Sequence, residues 1–383
     1  MYLPFVLGDP ILYWTLRLIL LITFVVCGYG ISFDKKNNYY KYAIPAGLVY
    51  SLIEGLRWNR GQDYYHYYGD LVGRLFTDDY EIGYLFIVNV LTEILNLPFW
   101  MCFILYSALL ITAFLSLFKL FPKAAVWALP LFYIITESSS ENLIRQWLAI
   151  PFVILGYYQY SIGNWKKCLL SLFVVPCIHM SGLFAVTMFL LFAKVKIQLK
   201  TPWILLGIFL LFYFFWDASY FSFVTELLND LNLGDDTKFS GYVENADRWF
   251  TEEGSINNVL GKTMVRSMGI INLIAKFSAE VLLIIYGFKT CSKDSRLLIP
   301  FYFAYIALLL STISGDIEIY ARFAEWLNYF TPFVWGLVLG NKDIRLKEKY
   351  VIYTIVVIQY VFYGFIRMMG SIPYKGCAFI WDE

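Results

Sequence analysis

Long apolar segments alternate with short polar ones along almost the whole of this 383-residue chain. A helix that crosses a bilayer needs about 20 mostly apolar residues. Stretches near that length lie at 11–32, 42–56, 99–119, 123–138, 143–162, 201–223, 264–288, 297–315, 319–340 and 350–370. The pattern predicts an all-α, polytopic integral membrane protein with about 10–12 transmembrane helices.

The basic residues predict which side of the membrane each loop faces. They cluster at 35–41, 119–123, 166–167, 194–200, 289–296 and 342–349. The positive-inside rule places all of these clusters in the cytoplasm. Residues 81–118 must then cross the membrane only once. We therefore expect the segment 81–97, which carries Asn89, Thr92 and Glu93, to form an amphipathic helix on the outer surface.

The apolar segment 168–193 has lysines at both ends, so by the same rule it enters and leaves on the cytoplasmic side. Pro176 and His179 lie near its middle, where a helix is expected to break. The sequence predicts a re-entrant pair of short helices that meet at His179. The alternative is one long span around a buried, hydrogen-bonded histidine.

This topology places both termini and the loops 57–80 and 226–262 outside. The acidic loop 226–262 is long enough to act as a lid, although an acidic run is more often a solvated surface. Residues 1–10 carry no lysine or arginine, so we expect no cleavable signal peptide. The chain shows no internal repeat or low-complexity tract, which predicts a single transmembrane domain over 1–383.

Composition agrees with the membrane assignment and narrows the chemistry. Hydrophobic residues make up 60% of the chain and charged residues 15%, against about a quarter charged in a soluble domain. A net charge of +1 gives no reason to expect binding to nucleic acid. The six cysteines form no CxxC pair and there are only two histidines, so neither a disulfide framework nor a metal site is expected.

Polar side chains gather just after the second apolar segment, over residues 57–68, where two arginines stand among Asp63, His66 and several tyrosines. Placing such a polar cluster at the edge of a bilayer costs free energy, which favours a functional role for it. Paired arginines suit a phosphate or diphosphate, and tyrosine rings suit the faces of sugars. The combination favours chemistry on a lipid-linked, phosphate-bearing sugar over simple transport.

Further polar patches face the same side, at 81–84, 138–149 with 178–181, and 319–323 with Tyr329. Arg145 and Arg322 lie near predicted helix starts, where backbone N–H groups also favour anions. A diphosphate leaving group needs a fixed positive field from arginine or from a divalent metal. Because no DxD-like pair of carboxylates is present, we expect arginine stabilisation without a metal or other cofactor.

Each of these residues also has a simpler interpretation. Arg57 and Arg322 are equally well explained as anchors that reach to lipid headgroups. Asp63 can pair with Arg60 inside a loop, and a lone His179 is more often a hydrogen-bonded core residue. The tyrosines suit an aromatic belt at the interface. The joint pattern of all four patches is what favours a site.

That joint pattern resembles the EpsG family of polysaccharide-biosynthesis membrane proteins. The opening of the family, R-x(n)-G-x-D-Y-x-x-Y, is similar to the residues Arg57, Gly61, Asp63, Tyr64 and Tyr67. Its E-P-G-[FY] element is similar to 81–84, with isoleucine in place of the usual proline.

Three later elements of the family follow in the same order. Residues 144–149 match I-R-Q-x-[IL]-A, and 179–181 match H-x-S. Residues 320–323 look like the start of the late R-[FY]-x-x-Y stretch, with Trp326 where its tyrosine would stand. The resemblance spans about 57–335, which is most of the chain.

The resemblance implies a GT-C-like helical fold and a Wzy-like repeat-unit polymerase at the outer face of the bacterial inner membrane. Its substrates would be undecaprenyl-diphosphate-linked oligosaccharides, and its partners membrane lipid and possible chain-length-regulator and flippase proteins. We expect inverting glycosyl transfer from a polyprenyl-diphosphate-linked glycan to a lipid-linked repeat unit. The rival functions are an O-antigen ligase-type glycosyltransferase, a membrane acyltransferase of sugars and a lipid-linked sugar transporter.

The expected roles follow from that reaction. Arg145 would stabilise the leaving diphosphate, and Asp63 or His179 would be the general base, with a slight preference for Asp63. The remaining residues are expected to bind substrate: Arg57, Arg60, Arg322, Tyr64, Tyr67, Glu81, Tyr84, Gln146 and Tyr320.

Overall fold

In the part of the chain that its computed structural model describes, all regular secondary structure is helical apart from one isolated bridge between Arg57 and Phe379. The described residues are 8–34, 38–61, 63–75, 80–195, 201–216, 269–314 and 318–382, and at 269, 318–320 and 371–375 the description covers the backbone alone. The predicted all-α, multi-pass fold is confirmed.

The chain divides into two compact units, residues 1–194 with 332–383 and residues 195–331. The single-domain organisation stays a prediction. The helices of the first unit are α1 Pro10–Phe33, α2 Tyr39–Gly55, α3 Tyr64–Val72, α4 Ile82–Asn89, α5 Phe99–Ser116, α6 Ala125–Asn142, α7 Ile144–Ser161, α8 Trp165–Ile178 and α9 Leu183–Lys194.

The second unit contains α10 Trp203–Phe215, α11 Gly269–Leu282, α12 Phe288–Cys291, α13 Leu298–Ser314 and α14 Glu318–Asn328. The chain then returns to the first unit through α15 Thr331–Gly340, α16 Leu346–Val356 and α17 Tyr363–Lys375. Wider π-helical turns follow α4, α11 and α16; the last two lead directly into the next helix, whereas the first ends at Ile94.

Five described stretches are long and apolar enough to cross a membrane: Pro10–Phe33, Phe99–Lys119, Ile270–Cys291, Ser295–Ser314 and Leu346–Gly370. The first begins sharply, because the Asp9 carboxylate accepts from the amides of Ile11 and Leu12 and Pro10 occupies a position where no amide hydrogen is needed. Residues 226–262, the predicted lid, lie outside the described part.

The prediction of one span over 319–340 is wrong. The helix ends at Asn328 and a new one begins at Thr331. Pro332 explains the break, because its ring has no N–H to donate and collides with the carbonyl four residues earlier, that of Asn328. The same residue fits the second position of the next helix, where no hydrogen bond is lost.

The chain also breaks at His179, between α8 and a short 3₁₀ turn, Met180–Gly182, that leads into α9. His179 has an extended backbone, with φ −153° and ψ 113°. Two short helices therefore replace one long one, while their re-entrant topology stays a prediction. Residues 138–142, assigned above to an outward patch, are helical and form the last turns of α6.

Candidate functional site

The side chains of Arg145 and His179 meet at the carboxylate of Glu81, although the three residues are distant in sequence. Glu81 precedes α4, Arg145 lies in the first turn of α7, and His179 stands at the break after α8. Arg145 Nη1 donates to Glu81 Oε2 at 2.8 Å, while His179 Nδ1 lies 3.3 Å from Glu81 Oε1. The amide of Met180 donates to the same Oε1 at 2.8 Å. A single carboxylate thus fixes a guanidinium and an imidazole.

A glycine makes this meeting possible. A Cβ on Gly83 would lie 2.5 Å from the carbonyl oxygen of Cys177, a distance that real Cβ atoms do not show. The start of α4 therefore rests directly on the last turn of α8. That contact brings Glu81, two residues before the glycine, to His179, two residues after the cysteine.

The electrostatics of Glu81 make it a permanent anion. Burial acts to raise its pKa, but the hydrogen bonds from His179 and Met180 and the charge of Arg145 outweigh it and lower the pKa to about 2. Glu81 thus cannot exchange protons near neutral pH. It can hold Arg145 in place and orient the imidazole, as the third group of a catalytic triad does.

Aromatic rings and a second acid surround Arg145. Its guanidinium carbon lies 4.7 Å from the centre of the Tyr80 ring and 5.9 Å from that of Tyr84. The Tyr84 hydroxyl donates to Asp70 Oδ2 at 2.9 Å. Burial raises the pKa of Asp70, although the phenols of Tyr84 and Tyr80 act against the shift. We call the six residues Asp70, Tyr80, Glu81, Tyr84, Arg145 and His179 the Glu81 cluster.

A second polar cluster is fully buried between α1, α2 and α6. Arg17 contacts Glu54 at 2.8 Å, Glu141 at 2.9 Å and Glu137 at 3.2 Å. Arg60 Nη1 lies 3.5 Å from the same Glu141 oxygen. We call these five residues the Arg17 cluster. Every one of these side chains is at most 3% exposed, so the charges must compensate one another.

The turn that carries Arg60 is shaped by Gly61. Its φ of 98° lies in the region that favours glycine, and a Cβ there would lie 2.4 Å from the carbonyl oxygen of Glu141. The chain after α2 can therefore press against the end of α6. This contact directs Arg60 inward, towards Glu141, rather than towards solvent.

The carboxyl-terminal segment covers the same turn. The amide of Trp58 donates to the carbonyl of Ala378 at 3.0 Å, and the amide of Ile380 donates to the carbonyl of Leu56 at 3.0 Å. The Phe379 ring lies 4.8 Å from the guanidinium carbon of Arg60. Residues 376–382 thus fasten the loop after α2 and shield Arg60 from solvent.

Comparison with known protein families identifies the family of this chain. The model of the EpsG family matches residues 40–377, nearly the whole chain. The chain belongs to the EpsG family. No curated protein and no solved structure matches it. Family membership and the apolar helices together identify a multi-pass membrane protein with a role in polysaccharide biosynthesis.

The EpsG family segments divide between the two clusters. The residues quoted from 81–84, 144–149 and 179–181 supply Glu81, Arg145 and His179 and so converge in the Glu81 cluster. The opening segment also borders the Arg17 cluster, because Gly61 packs on the carbonyl oxygen of Glu141 and the preceding residue, Arg60, belongs to that cluster. Sequence order alone gives no indication of this division.

The structure places the other predicted site residues as follows. Tyr64 is fully buried, donates to the Arg57 carbonyl at 3.0 Å and stacks on Phe103. Arg57 is 5% exposed and donates to the Glu54 carbonyl. Both therefore act as packing residues in this conformation.

Tyr67 interacts electrostatically with both Asp63 and Arg145, and the centre of its ring lies 5.9 Å from that of Tyr84. Burial raises the pKa of Tyr67 to about 12, with the charge of Arg145 opposing the shift and that of Asp63 adding to it. Asp63 itself is partly exposed at the start of α3. Gln146 is 3% exposed beside Arg145. Asp63 and Tyr67 therefore lie near the Glu81 cluster.

Arg322 lies, partly exposed, in α14 of the second unit, and Tyr320 lies in the same helix with its side chain outside the description.

Sequence reasoning missed Arg17, Glu54 and Asp70. A charged residue inside an apolar span is itself a signal, which Arg17 and Glu54 both gave. Within the described residues, no three His, Cys, Asp or Glu side chains are grouped closely enough to hold a metal ion.

We expect Arg17→Leu to destabilise the protein by about 3–5 kcal/mol, because Glu54, Glu137 and Glu141 would remain buried without their shared cation. The measure is the temperature at which half of the purified protein is lost from the monodisperse peak in detergent. Arg74→Leu is the control, since Arg74 and Glu93 form a solvent-exposed pair worth less than about 1 kcal/mol. Equal midpoints for the two variants would contradict a stabilising Arg17 cluster.

Proposed function

We propose that the protein is a Wzy-like repeat-unit polymerase. It transfers a glycan from polyprenyl diphosphate to the non-reducing sugar of a new lipid-linked repeat unit, with inversion at C1. The observation that carries the proposal is the Glu81 cluster of an EpsG family chain, in which Glu81 holds Arg145 and His179 together. The reaction needs both a cation for the leaving group and a base for the acceptor.

Arg145 is the group that would meet the diphosphate. Its Nη1 is engaged by Glu81, whereas within the described residues its Nε has no hydrogen-bond partner. Nε is buried, whereas the side chain as a whole is 19% exposed, so a ligand oxygen can reach only the exposed part of the guanidinium. A guanidinium held in this way stabilises the charge that develops on the departing diphosphate without having to reorganise.

We favour His179 as the base, because its Nδ1 lies beside a Glu81 carboxylate oxygen. The Glu81 oxygen beside Nδ1 favours the neutral tautomer that carries its proton on Nδ1, which leaves the basic lone pair on Nε2. That nitrogen would take the proton of the acceptor hydroxyl as the sugar attacks C1 and the diphosphate leaves from the opposite face. The sequence favoured Asp63 slightly, and we retain Asp63 as the alternative base.

The other arginines take different parts in this proposal. Arg57 and Arg60 are buried and position the loop after α2, rather than contacting substrate directly. Arg322 remains our candidate for a further diphosphate contact. The active site would face the periplasm or cell exterior of the bacterial inner membrane, where the lipid-linked repeat units are presented.

The decisive experiment is to incubate the purified protein with a single lipid-linked repeat unit. A polymerase will produce a ladder of products that differ by one repeat. Glycan transfer without a ladder, seen only when a different acceptor is added, indicates a ligase; acylation of the sugar when an acyl donor is added indicates an acyltransferase; unchanged glycan in all of these reactions indicates a transporter. A parallel reaction with EDTA tests the expectation that arginine alone supports the leaving group, since activity then persists.

A further inference from the structure

A groove of about 450 Å³ lies between α2, α5 and α7, away from both polar clusters. Its lining includes Tyr39 and Tyr40 at the start of α2, Ser51 towards its other end, and Lys119 just after α5. Tyr158, which lines the groove and interacts with Tyr39, lies in the last turn of α7, whereas Arg145 of the Glu81 cluster lies in the first turn of that helix. The mouth at Lys119 is therefore separated from the candidate site by most of the length of a helix.

The walls of the groove present hydrocarbon, although several of its residues are polar. The Ser51 hydroxyl donates to the Gly47 carbonyl at 2.7 Å, and that of Ser116 to the Ala113 carbonyl at 2.6 Å. The Tyr39 hydroxyl donates to the carbonyl of Leu115 at 2.9 Å. These hydroxyls are satisfied by backbone carbonyls, so an apolar occupant would leave none of them unpaired.

The mouth, by contrast, is cationic and polar. Lys119 Nζ donates to the Tyr40 hydroxyl at 3.1 Å and lies about 5 Å from the ring centres of both Tyr39 and Tyr40. The side-chain oxygen of Gln159, another lining residue, is buried and within the described residues has no donor. This end can thus bind an anion at Lys119 and accept a hydrogen bond from a hydroxyl at Gln159.

The dimensions of the groove fit one lipid chain. From Tyr39 to Ser51 helix α2 rises about 18 Å at 1.5 Å per residue. Half of the hydrocarbon core of a bilayer is about 15 Å thick. A fatty acyl chain of ordinary length likewise spans about half of the bilayer, so the length of the groove fits one such chain.

We propose that this groove binds one acyl chain of an anionic phospholipid, with its phosphate at Lys119 and a headgroup hydroxyl at Gln159. The predicted topology places this mouth on the cytoplasmic side, where anionic lipids are attracted by basic residues. The site is independent of the polymerase reaction proposed above, because none of its lining residues belongs to the Glu81 cluster.

The test is native mass spectrometry of the purified full-length chain in non-ionic detergent, titrated with phosphatidylglycerol and, separately, with phosphatidylcholine. We expect one phosphatidylglycerol adduct that binds more tightly than the rest. Gly47→Leu should abolish it, because a Cβ at Gly47 meets only Leu115 Cδ1, at 3.7 Å, so that the new side chain fits and extends into the groove. Lys119→Gln should weaken it about fivefold, the contribution of one basic residue at a membrane surface.

Gly207→Leu is the matched control, since a Cβ at Gly207 has nothing within 4 Å and lies on an exposed face of α10 in the second unit. It should keep the adduct. The proposal is overturned if Gly47→Leu retains the tight adduct, or if Lys119→Gln binds phosphatidylglycerol as tightly as the unmodified protein. It is also overturned if undecaprenyl phosphate displaces phosphatidylglycerol one for one, which would assign the groove to the polyprenyl tail.

Discussion

Arg145→Lys will lower the rate of polymerisation almost as far as Arg145→Ala, by about 10²–10³-fold, the usual cost of removing one preorganised transition-state donor. Lysine keeps the charge but lacks the planar fork that can contact Glu81 with one nitrogen and a phosphate with another. The measurement is the initial rate of ladder formation at saturating lipid-linked substrate. Equal amounts of monodisperse protein are compared.

Arg74 supplies the control for this comparison. It also pairs with a glutamate, Glu93, but on the protein surface and outside the Glu81 cluster. Arg74→Lys should therefore polymerise at the normal rate. A fully active, well-folded Arg145→Lys protein would show that Arg145 serves only to tie α7 to Glu81, and the diphosphate contact would have to be sought at Arg322.

The fold was largely predictable because apolar length and helix breakers are local properties. The span 11–32 corresponds to α1 within a residue, and the helix expected to break near Pro176 and His179 ends at Ile178, although Pro176 itself lies inside α8. The miss at 319–340 came from weighing apolar length above Pro332, which ends the helix. The wide turn after α4 has no signal in the local pattern, because it differs from an α-helix by a single hydrogen-bond register.

The site was predictable only in part, since contacts between distant residues are not local. Arg145, Glu81 and His179 stood out as polar residues in an apolar chain, and they do meet. The sequence did not indicate that Arg60 turns inward to Glu141, because that direction depends on where Gly61 lets the backbone pack. Whether an arginine can contact a substrate or only supports neighbouring residues depends on whether it is buried, and burial is set by the tertiary structure.

The pH dependence of polymerisation should identify the base. Histidine side chains generally gain a proton between roughly pH 5 and 8. In the unmodified protein we expect the rate of polymerisation to fall as the pH drops through this window, because a protonated His179 cannot accept the proton of the acceptor hydroxyl. Glu81 cannot cause this fall, since its pKa of about 2 keeps it ionised throughout. Its pairing with Arg145 is likewise retained there, and would be lost only as the pH approaches 2.

His179→Gln should therefore lower the rate by about 10²–10⁴-fold and remove the acid limb from what activity remains, because glutamine keeps a polar contact but does not titrate. Asp63→Asn is the comparison, and with His179 as base it should keep the acid limb and lose less activity. Binding of the lipid-linked donor, measured separately, should survive both changes. If His179→Gln retains the acid limb while Asp63→Asn abolishes turnover, the base is Asp63, and the imidazole beside Glu81 only positions the acceptor.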